Sequence, residues 1–506
     1  MSEYFLVIDE GTTSTRAMLF GFDGQPVASA QRELTQYYSA PGCVEHDARE
    51  IWERTLAAAR EVIAPAGGAD RIAAIGITNQ RETVVAWDKA TGEPLGKAIV
   101  WQDRRTADRC AGLRSEGLEP SIQSRTGLLL DPYFSASKME WMLANVPGVR
   151  EAGPRLAFGT IDSWLIWKLT GGAIHTTDAS NASRTMLMAL DGFEWDEELS
   201  AIFGVDRASL PTIVGCAGEI GRTMPDLFGV PIPICGSAGD QQAATIGQGC
   251  LAPGETKATF GTGAFILTNC GERPMHSSHR LLTTVLCQQD GKRVYALEGS
   301  VFVAGSLFQW LRDSVGLIVS APESEQLARS VPDSGGVYMI PALAGLGAPH
   351  WRAEARALIC GMSFATTKAH IVRAALEAQA HQAHDLMAAF AADGVRWEKL
   401  RIDGGMAAND WLAQDLADML DLPVERPAFV ETTALGAAML AAVGVGIYAD
   451  LEGAAEAMRG EVTRFEPAMS ASKREERLVG WKESLAKVSP SLRFGIKSAG
   501  PSPGRS

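Results

Sequence analysis

The sequence lacks the excess of basic residues that a nucleic-acid-binding protein carries. Lys and Arg total 46 against 60 Asp and Glu, which gives a net charge of −14 at pH 7. No run of Lys and Arg forms a basic stretch, so we expect no nucleic-acid partner. An anionic substrate would need local positive charge or a metal ion at its site.

Closely spaced cysteine pairs, a secretory leader and a long apolar run are also missing. The eight cysteines are scattered without a CxxC pair, which favours reduced thiols over a disulfide framework. The apolar residues 4–8 are too few for a signal peptide. The longest apolar region, residues 434–448, is interrupted by three glycines and falls short of the ~20 residues of a membrane span. These absences predict a cytoplasmic protein with no membrane span.

Glycine is abundant instead, with 52 residues in a chain of 506, which indicates many tight turns and close backbone approaches. Short β-branched runs alternate with longer helical patterns, as in an α/β protein with a largely buried sheet. Strands are predicted in "YFLVID", "IAAIGIT", "VYALEGS" and "LRID". Helices are predicted over residues 47–63, 136–145, 368–393, 409–420 and 433–443, with Asp47 as an N-cap.

The two halves of the chain open in a similar way. Residues 4–20 read as strand, Gly-Thr-Thr turn and strand, and residues 255–271 as strand, Gly-Thr-Gly turn and strand. We interpret this as a weak internal repeat of structure rather than of sequence. The boundary is predicted in "GQGCLAPG", which divides the chain into residues 1–248 and 249–489. Residues 490–506, rich in Ser, Pro and Gly, are predicted to form a disordered tail.

Three turns at strand ends have the composition of phosphate-binding loops. The first follows Asp9 and offers backbone N–H groups and hydroxyls to phosphate oxygens. Asp9 offers Mg²⁺ a carboxylate, and Arg16 offers phosphate a planar cation. The others are "GTG" at 261–263 and "DGG" at 403–405. Each turn alone is compatible with a simple turn, but the three together indicate a nucleotide site. None matches a Walker loop, and the protein-kinase signatures are missing.

The motifs resemble those of the FGGY carbohydrate kinases, over about residues 4–482. "IDEGTTSTR" resembles the family's first phosphate motif, "AGDQQAA" its catalytic-base motif, "FGTGAF" its second phosphate motif and "DGGMAAN" its adenosine motif. "YFSASKMEW" and "ALICGMSFATTKAHIVRAALE" are similar to its two signature regions. "GITNQRET", "WQDRR" and "DPYFS" resemble the branch of the family that phosphorylates glycerol.

The resemblance implies two actin-like (ribonuclease H-like) α/β domains with a catalytic cleft between them. The N-terminal domain would hold the polyol and the catalytic base, and the C-terminal domain would hold the nucleotide. The implied reaction is ATP-dependent phosphorylation of glycerol to sn-glycerol 3-phosphate by in-line transfer, with ATP and Mg²⁺ as cofactors. A homodimer or homotetramer is implied as well.

Position by position, the resemblance also implies roles for the motif residues. Asp240 would be the general base, and Asp9 and Asp240 would act on Mg²⁺. Contacts with the glycerol hydroxyls and carbon atoms are implied for Arg81, Glu82, Trp101, Tyr133, Asp240, Gln241 and Phe265. Contacts with the nucleotide are implied for Thr12, Thr13, Ser14, Arg16, Gly261, Thr262, Gly305, Gln309, Gly405 and Asn409.

Simpler interpretations of some residues stay open at this point. Arg81 and Glu82 could form a solvated surface pair, and Asp240 could be a helix N-cap. His381 and His384, three apart on a predicted helix, are more typical of a polar helix face than of a metal site. The alternative functions are a kinase for another small polyol or triose, such as erythritol or dihydroxyacetone, and a catalytically silent sensor.

Three departures from the family's pattern bear on function. Glu10 stands beside Asp9 where many relatives carry Gln, and an added carboxylate there could alter the phosphate or Mg²⁺ preference. Residues 221–240 lack the basic stretch and the His that relatives use for inhibition by fructose 1,6-bisphosphate and for phosphotransferase-system control. We therefore expect neither control. Asp410 follows Asn409 at the edge of the adenosine motif, and no effect is assigned to it.

Overall fold

The computed structural model describes residues 2–352 and 354–488. Within these residues the chain forms two α/β halves, each built on one large mixed sheet. The strands are β1 (Tyr4–Glu10), β2 (Ser14–Gly21), β3 (Pro26–Glu33), β4 (Glu45–His46), β5 (Ile72–Asn79), β6 (Val85–Asp88), β7 (Ala98–Ile99), β8 (Leu156–Gly159), β9 (Thr176–Asp178), β10 (Thr212–Val214), β11 (Ala217–Arg222), β12 (Pro233–Gly239), β13 (Thr256–Phe260), β14 (Ala264–Gly271), β15 (Leu282–Gln289), β16 (Lys292–Val301), β17 (Tyr338–Ile340), β18 (Leu358–Cys360), β19 (Leu400–Asp403), β20 (Val424–Pro427) and β21 (Val462–Phe465).

Helices cover the faces of both sheets. They are α1 (Ala48–Ile63), α2 (Ala107–Ser115), α3 (Glu119–Thr126), α4 (Ser135–Asn145), α5 (Pro147–Ala152), α6 (Ile161–Leu169), α7 (Ala179–Ala182), α8 (Glu197–Ile202), α9 (Pro225–Phe228), α10 (Asp240–Gly247), α11 (Gly305–Asp313), α12 (Ala321–Arg329), α13 (Lys368–Ala392), α14 (Asp410–Leu420), α15 (Thr432–Gly444), α16 (Leu451–Met458) and α17 (Ala471–Ala486). Over residues 2–352 and 354–488, none of these helices is long and apolar enough to cross a membrane.

The first sheet has the strand order β11-β12-β5-β1-β2-β3. Its strands β1, β2 and β3 form an antiparallel meander, and β5 and β12 add parallel strands on the other side of β1. β1 is apolar on both faces because both faces are covered. Leu6 and Ile8 pack in the core on the α1 side, whereas Phe5 and Val7 pack in the core on the α15 side.

The second sheet repeats this plan. Its order is β15-β16-β14-β13-β19-β20-β21. β13, β14 and β16 pair antiparallel, and β19 and β20 continue the sheet in parallel on the other side of β13. The hairpins β1–β2 and β13–β14 therefore hold equivalent places in the two sheets, which confirms the structural similarity predicted from the two openings.

Two helices cross between the sheets in direct backbone contact. α10 follows the first-sheet strand β12, and α15 follows the second-sheet strand β20 but packs on β12, β5 and β1. A Cβ atom on Gly436 would lie 1.8 Å from the carbonyl oxygen of Ala243, and one on Gly247 would lie 2.0 Å from that of Thr432. Only glycine permits this crossing, which links the two halves of the chain.

The predicted helices are confirmed to within one residue at each end. The helix predicted over residues 47–63 is Ala48–Ile63, and the Asp47 side chain accepts a hydrogen bond from the Arg49 N–H as its N-cap. The helix predicted from Asn409 begins at Asp410, with Asn409 as its N-cap. The predicted tail, residues 490–506, lies outside the described residues.

The interpretation of His381 as part of a polar helix face is wrong. His381 is buried in α13, and its ring stacks on Trp481 with a centroid distance of 5.0 Å and an interplanar angle of 9°. Burial lowers the pKa of His381 well below its usual range. The covering helix α17 comes from a distant part of the sequence, so the pattern of α13 alone gives no sign of this contact.

Candidate active site

The carboxyl ends of three parallel strands bring the first set of predicted residues together. Asp9 lies near the end of β1, Arg81 and Glu82 follow β5, and Asp240 follows β12. β5 lies between β1 and β12 and runs parallel to both. The three ends therefore meet at one edge of the first sheet, where α/β sheets usually bind their ligands.

A cavity of about 160 Å³ lies at this edge, and we call it the small cavity. Its lining residues are Thr12, Arg81, Glu82, Trp101, Tyr133, Asp240, Gln241, Thr259, Gly261, Thr262, Gly263 and Phe265. The structure thus brings together all seven residues for which polyol contacts are implied.

Arg81 is held in one orientation by its surroundings. Its side chain is only 2% exposed, so the alternative of a solvated surface pair is wrong. Nη1 and Nη2 donate to the two carboxylate oxygens of Glu298 at 2.5 and 3.2 Å. Nη2 also donates to the Tyr133 hydroxyl at 3.3 Å, and Nε lies 3.2 Å from Oδ1 of Asp240. The guanidinium plane is therefore fixed at the cavity wall.

Glu82 has a strained backbone and a buried carboxylate. Its φ of 61° lies in the left-handed region, which is uncommon for residues other than glycine. The carboxylate accepts a hydrogen bond from Arg184 Nε at 2.6 Å, and the carbonyl accepts one from Ser135 Oγ at 3.0 Å. Burial raises the pKa of Glu82, while Arg184 and Arg81 oppose the rise. Such strain persists only where surrounding contacts impose it.

Three aromatic rings form the apolar wall of the small cavity. Trp101 lies edge-on to Tyr133 and to Phe265, with centroid distances of 5.6 and 6.2 Å. Trp101 Nε1 donates to Thr12 Oγ1 at 2.9 Å, so this wall also orients the turn at residues 11–13. The buried Lys138 of α4 donates to the Tyr133 carbonyl at 2.5 Å and fixes the loop that carries the ring.

Asp240 is the first residue of α10, and Gly239 is the N-cap, so the N-cap alternative is wrong. One carboxylate oxygen of Asp240 accepts the N–H of Gln241 at 2.7 Å. The side chain is 32% exposed and opens into the small cavity. The carboxylate is thus anchored on one side and accessible on the other.

Lys257 of β13 lies buried behind the small cavity. Its Nζ donates to Gln241 Oε1 at 2.5 Å and to Thr259 Oγ1 at 2.8 Å. Burial lowers the pKa of Lys257 to about 8, against the carboxylates of Asp403 and Asp240. Lys257, on the second sheet, therefore orients one side chain from each half of the chain, Gln241 and Thr259, in the lining of the small cavity.

A second cavity, which we call the large cavity, has a volume of about 390 Å³. The predicted nucleotide residues in its lining are Gly261, Thr262, Gly305, Gln309, Gly405 and Asn409. Apolar side chains including Phe308, Leu376 and Met406 complete much of the wall. Gly261 and Thr262 line both cavities, so groups bound in each would meet at this turn.

The glycines of the large cavity serve two purposes. A Cβ atom on Gly305 would lie 2.5 Å from the Gly261 carbonyl oxygen, so the start of α11 can touch the shared turn only with glycine. A Cβ atom on Gly405 would have no neighbouring heavy atom within 4 Å. The missing side chain of Gly405 therefore leaves room in the cavity rather than permitting a backbone contact.

The turn at residues 11–13, which the sequence predicts to bind phosphate, contributes only Thr12 to the lining of the small cavity. Thr13 is exposed, and Ser14 Oγ accepts a hydrogen bond from Gln31 Nε2 at 2.9 Å. Arg16 forms an ion pair of 2.6 Å with Glu431, the residue directly before α15. These three predicted phosphate residues therefore lie beside the two cavities rather than in their linings.

Asp9 shares its surroundings with Asp240. Burial raises the pKa of Asp9 to about 7, the Arg16 guanidinium opposes the rise, and the Glu431 and Asp240 carboxylates add to it. Mg²⁺ takes oxygen ligands and is usually bound through one or two carboxylates, with water and substrate phosphates completing its shell. Among the described residues no cluster of three or more His, Cys, Asp or Glu could hold a metal. Two carboxylates fit an ion that binds together with a phosphate ligand.

The position of Glu10 does not support the expected effect on phosphate or Mg²⁺. Neighbouring strand residues point to opposite faces, and Glu10 is turned away from Asp9 toward α1. Its carboxylate accepts a hydrogen bond from Thr55 Oγ1 at 2.8 Å. Burial raises the pKa of Glu10 to about 8, against hydrogen bonds from Thr15 and Thr55. Glu10 thus belongs to the contact between β1 and α1.

Sequence reasoning missed four charged residues at the site, Lys257, Glu298, Arg184 and Glu431. A signal existed for two of them. Lys257 is the charged residue of β13, and Glu298 stands among the apolar and uncharged residues 294–301 of β16. A charge in such a stretch is rarely buried without a partner. Arg184 follows the short helix α7 and Glu431 precedes α15, and neither position has a pattern that indicates burial or pairing.

The two cavities adjoin at a glycine turn, and the two halves of the chain carry sheets of the same plan. This architecture is that of a kinase of the actin-like class. Residues 4–247 match the N-terminal domain of the FGGY family of carbohydrate kinases, and residues 256–445 match its C-terminal domain. The chain belongs to the FGGY family of carbohydrate kinases.

Individual relatives agree with this membership. The glycerol kinase of Rhodospirillum centenum is 52% identical over 487 residues, which cover 96% of this chain and 97% of the relative. Glycerol kinase 1 of Pseudomonas aeruginosa is 51% identical over 491 residues, which cover 96% and 99%. The crystal structure of Plasmodium falciparum glycerol kinase with ADP has a TM-score of 0.89 at 36% identity and covers 97% of this chain and 99% of that one.

Proposed function

We propose that this chain transfers the γ-phosphoryl group of ATP to glycerol and releases sn-glycerol 3-phosphate and ADP. The small cavity carries the proposal, because its wall combines fixed hydrogen-bonding groups with an aromatic face and adjoins the large cavity. Relatives that share about half of their residues with this chain, over nearly its whole length, are named glycerol kinases. Their names support the choice of substrate.

Recognition of glycerol rests on hydrogen bonds, because the molecule carries no charge. Arg81 donates to a hydroxyl in place of its 3.3 Å contact with Tyr133, and Glu82 accepts through the oxygen that Arg184 does not use. Gln241 and Tyr133 add further polar groups, while Trp101 and Phe265 pack on the carbon atoms. A site of this kind rejects analogues that lack a hydroxyl more strongly than slightly larger ones.

Asp240 acts as the general base. Its carboxylate takes the proton of the attacking hydroxyl as the new O–P bond forms and the bond from the γ-phosphorus to the leaving ADP oxygen breaks. A carboxylate suffices for this role, because positioning and charge stabilisation dominate phosphoryl transfer and the alcohol loses its proton late. The Arg81 Nε contact of 3.2 Å holds the carboxylate toward the cavity.

The nucleotide occupies the large cavity and the shared turn. Gln309, Gly405 and Asn409 contact the adenosine, together with Gly305. Gly261 and Thr262 contact the phosphates, and Thr12, Thr13, Ser14 and Arg16 approach them from the first sheet. Asp9 and Asp240 would hold Mg²⁺, which neutralises phosphate charge when bound.

We also propose a domain division, an oligomeric state and a location for this chain. We retain the division into residues 1–248 and 249–489, which is compatible with the separate sheets. A homodimer or homotetramer is supported by the exposed apolar side chains of Met362 and Phe364, and light scattering would give the state. The free state of all eight cysteines, which lie among the described residues, supports a cytoplasmic location.

The substrate is tested by ADP release with Mg-ATP and a panel of glycerol, dihydroxyacetone, erythritol, xylulose, ribulose and gluconate. We expect kcat/KM for glycerol to exceed the others by about tenfold or more, because even one extra carbon is discriminated to this degree. A reaction without polyol measures the background of ATP hydrolysis.

Two other outcomes of the panel would replace the proposal. A preference for erythritol or dihydroxyacetone would assign the same site to another small polyol or triose. ADP release at the background rate with all six compounds, combined with measurable nucleotide binding by calorimetry, would identify a catalytically silent sensor.

A further inference from the structure

A buried ion pair outside the small cavity contacts three of the residues that line it. Glu298 of β16 and Arg184 have no exposed surface, and neither belongs to the cavity lining. Arg184 Nη2 donates to Glu298 Oε1 at 2.9 Å. The pair therefore acts on any bound molecule only through the side chains that it contacts.

Three contacts of the pair lead to residues proposed to bind the polyol. Glu298 accepts two hydrogen bonds from Arg81, at 2.5 and 3.2 Å. Arg184 donates to Glu82 at 2.6 Å, and its guanidinium carbon lies 5.4 Å from the centroid of the Tyr133 ring. The pair of Glu298 and Arg184 thus orients a hydrogen-bond donor (Arg81), an acceptor (Glu82) and an aromatic ring (Tyr133) of the small cavity.

The pair also joins the two halves of the chain. Arg81, Glu82 and Arg184 precede α10, whereas Glu298 lies on a second-sheet strand. Burial alone would raise the pKa of Glu298, but the Arg184 and Arg81 guanidinium groups outweigh it and lower the pKa to about 2. Without this negative charge, Glu82 would be the one buried carboxylate in contact with both guanidinium groups.

We propose that Glu298 and Arg184 are positioning residues that set the affinity for the polyol by orienting Arg81 and Glu82. This inference rests on the proposed function, because it takes the small cavity as the polyol site. Neither residue touches substrate. Replacing either residue weakens binding of the polyol. The large cavity stays unchanged, because its lining contains neither residue.

The test is the variant Glu298→Gln, which keeps the shape of the side chain and removes its charge. We expect the KM for the polyol to rise about tenfold to hundredfold, since small misplacements of positioning groups have effects of this size. The KM for ATP should stay at its original value. Ser300→Ala is a milder second variant, because Ser300 Oγ donates to Glu298 at 3.0 Å. It should raise the polyol KM about threefold.

The matched control is Asp415→Asn. Asp415 forms a similarly buried ion pair with Arg477, with N–O distances of 2.5 and 2.9 Å, between α14 and α17. Loss of this pair should lower the thermal midpoint without changing the polyol KM. Circular dichroism of all variants verifies folding.

Failure of the proposed function and failure of the positioning roles give different results. If the unmodified protein turns over none of the six polyols, the proposed function fails and the positioning roles fail with it. If it prefers a polyol other than glycerol, the KM for that compound is compared instead. If the unmodified protein is active but Glu298→Gln and Ser300→Ala keep its polyol KM, or raise the KM for ATP as much as the KM for the polyol, the positioning roles are wrong.

Discussion

Replacing Asp240 by Asn is expected to lower kcat for glycerol about a thousandfold, a loss typical of removing a general base. Asn keeps the size of the side chain and can still accept the Gln241 N–H, which Asp240 accepts at 2.7 Å. It cannot take the proton of the attacking hydroxyl. Binding of metal-free ADP should change little, because Asp240 lines the small cavity and not the large one. Steady-state ADP release with Mg-ATP and calorimetric titration with ADP in the absence of Mg²⁺ measure the two effects.

The control for this substitution is Asp108→Asn. Asp108 also lies in the first turn of its helix, α2, but it is exposed and belongs to neither cavity lining. Its replacement should leave kcat unchanged. Full turnover by the Asp240→Asn variant would show that another group accepts the proton, and the assignment of the base would fail.

A second large effect is expected at the crossing of α10 and α15. Gly436→Ala should lower the free energy of unfolding by about 3 kcal/mol, at the upper end of the usual effect of overpacking. The added methyl group would lie 1.8 Å from the Ala243 carbonyl oxygen, and a backbone atom cannot move aside as a flexible side chain can. Activity should fall as well, because the crossing links the two sheets that enclose the site. Thermal and urea unfolding measure the change in stability.

Gly112→Ala provides the matched control. Gly112 also lies inside a helix, α2, but a Cβ atom added there would meet no heavy atom within 4 Å. This replacement should raise stability by about 0.5 kcal/mol, because Ala is a better helix former and restricts the unfolded chain. Equal stability of the Gly436→Ala variant and the unmodified protein would mean that the helices do not cross in direct backbone contact.

The sequence was sufficient to predict the elements with strong local signals. The Asp47 cap, the alternation of strands and helices and the similar hairpins at residues 4–20 and 255–271 all follow from local chemistry and spacing. The polyol residues come from motifs that are far apart in sequence, and their meeting in one cavity follows from the parallel arrangement of β1, β5 and β12.

The contacts that the sequence did not predict depend on packing between distant segments. Glu298 pairs with Arg81, a residue 217 positions earlier, and α17 covers His381 through Trp481. The orientation of Glu10 depends on which face of β1 is covered by α1, and the residue's own neighbours in sequence do not decide this. Such contacts become visible only when the sheets and helices are placed together.

The chirality of the product tests the proposed transfer most directly. The small cavity has Asp240 and Arg81 at one wall and the rings of Trp101 and Phe265 at another, so it should present only one hydroxymethyl group of glycerol to the base. We predict that the ADP released is matched mole for mole by sn-glycerol 3-phosphate, measured with a stereospecific dehydrogenase. A racemic product, or release of inorganic phosphate in place of a phosphorylated polyol, would contradict phosphoryl transfer to glycerol at this site.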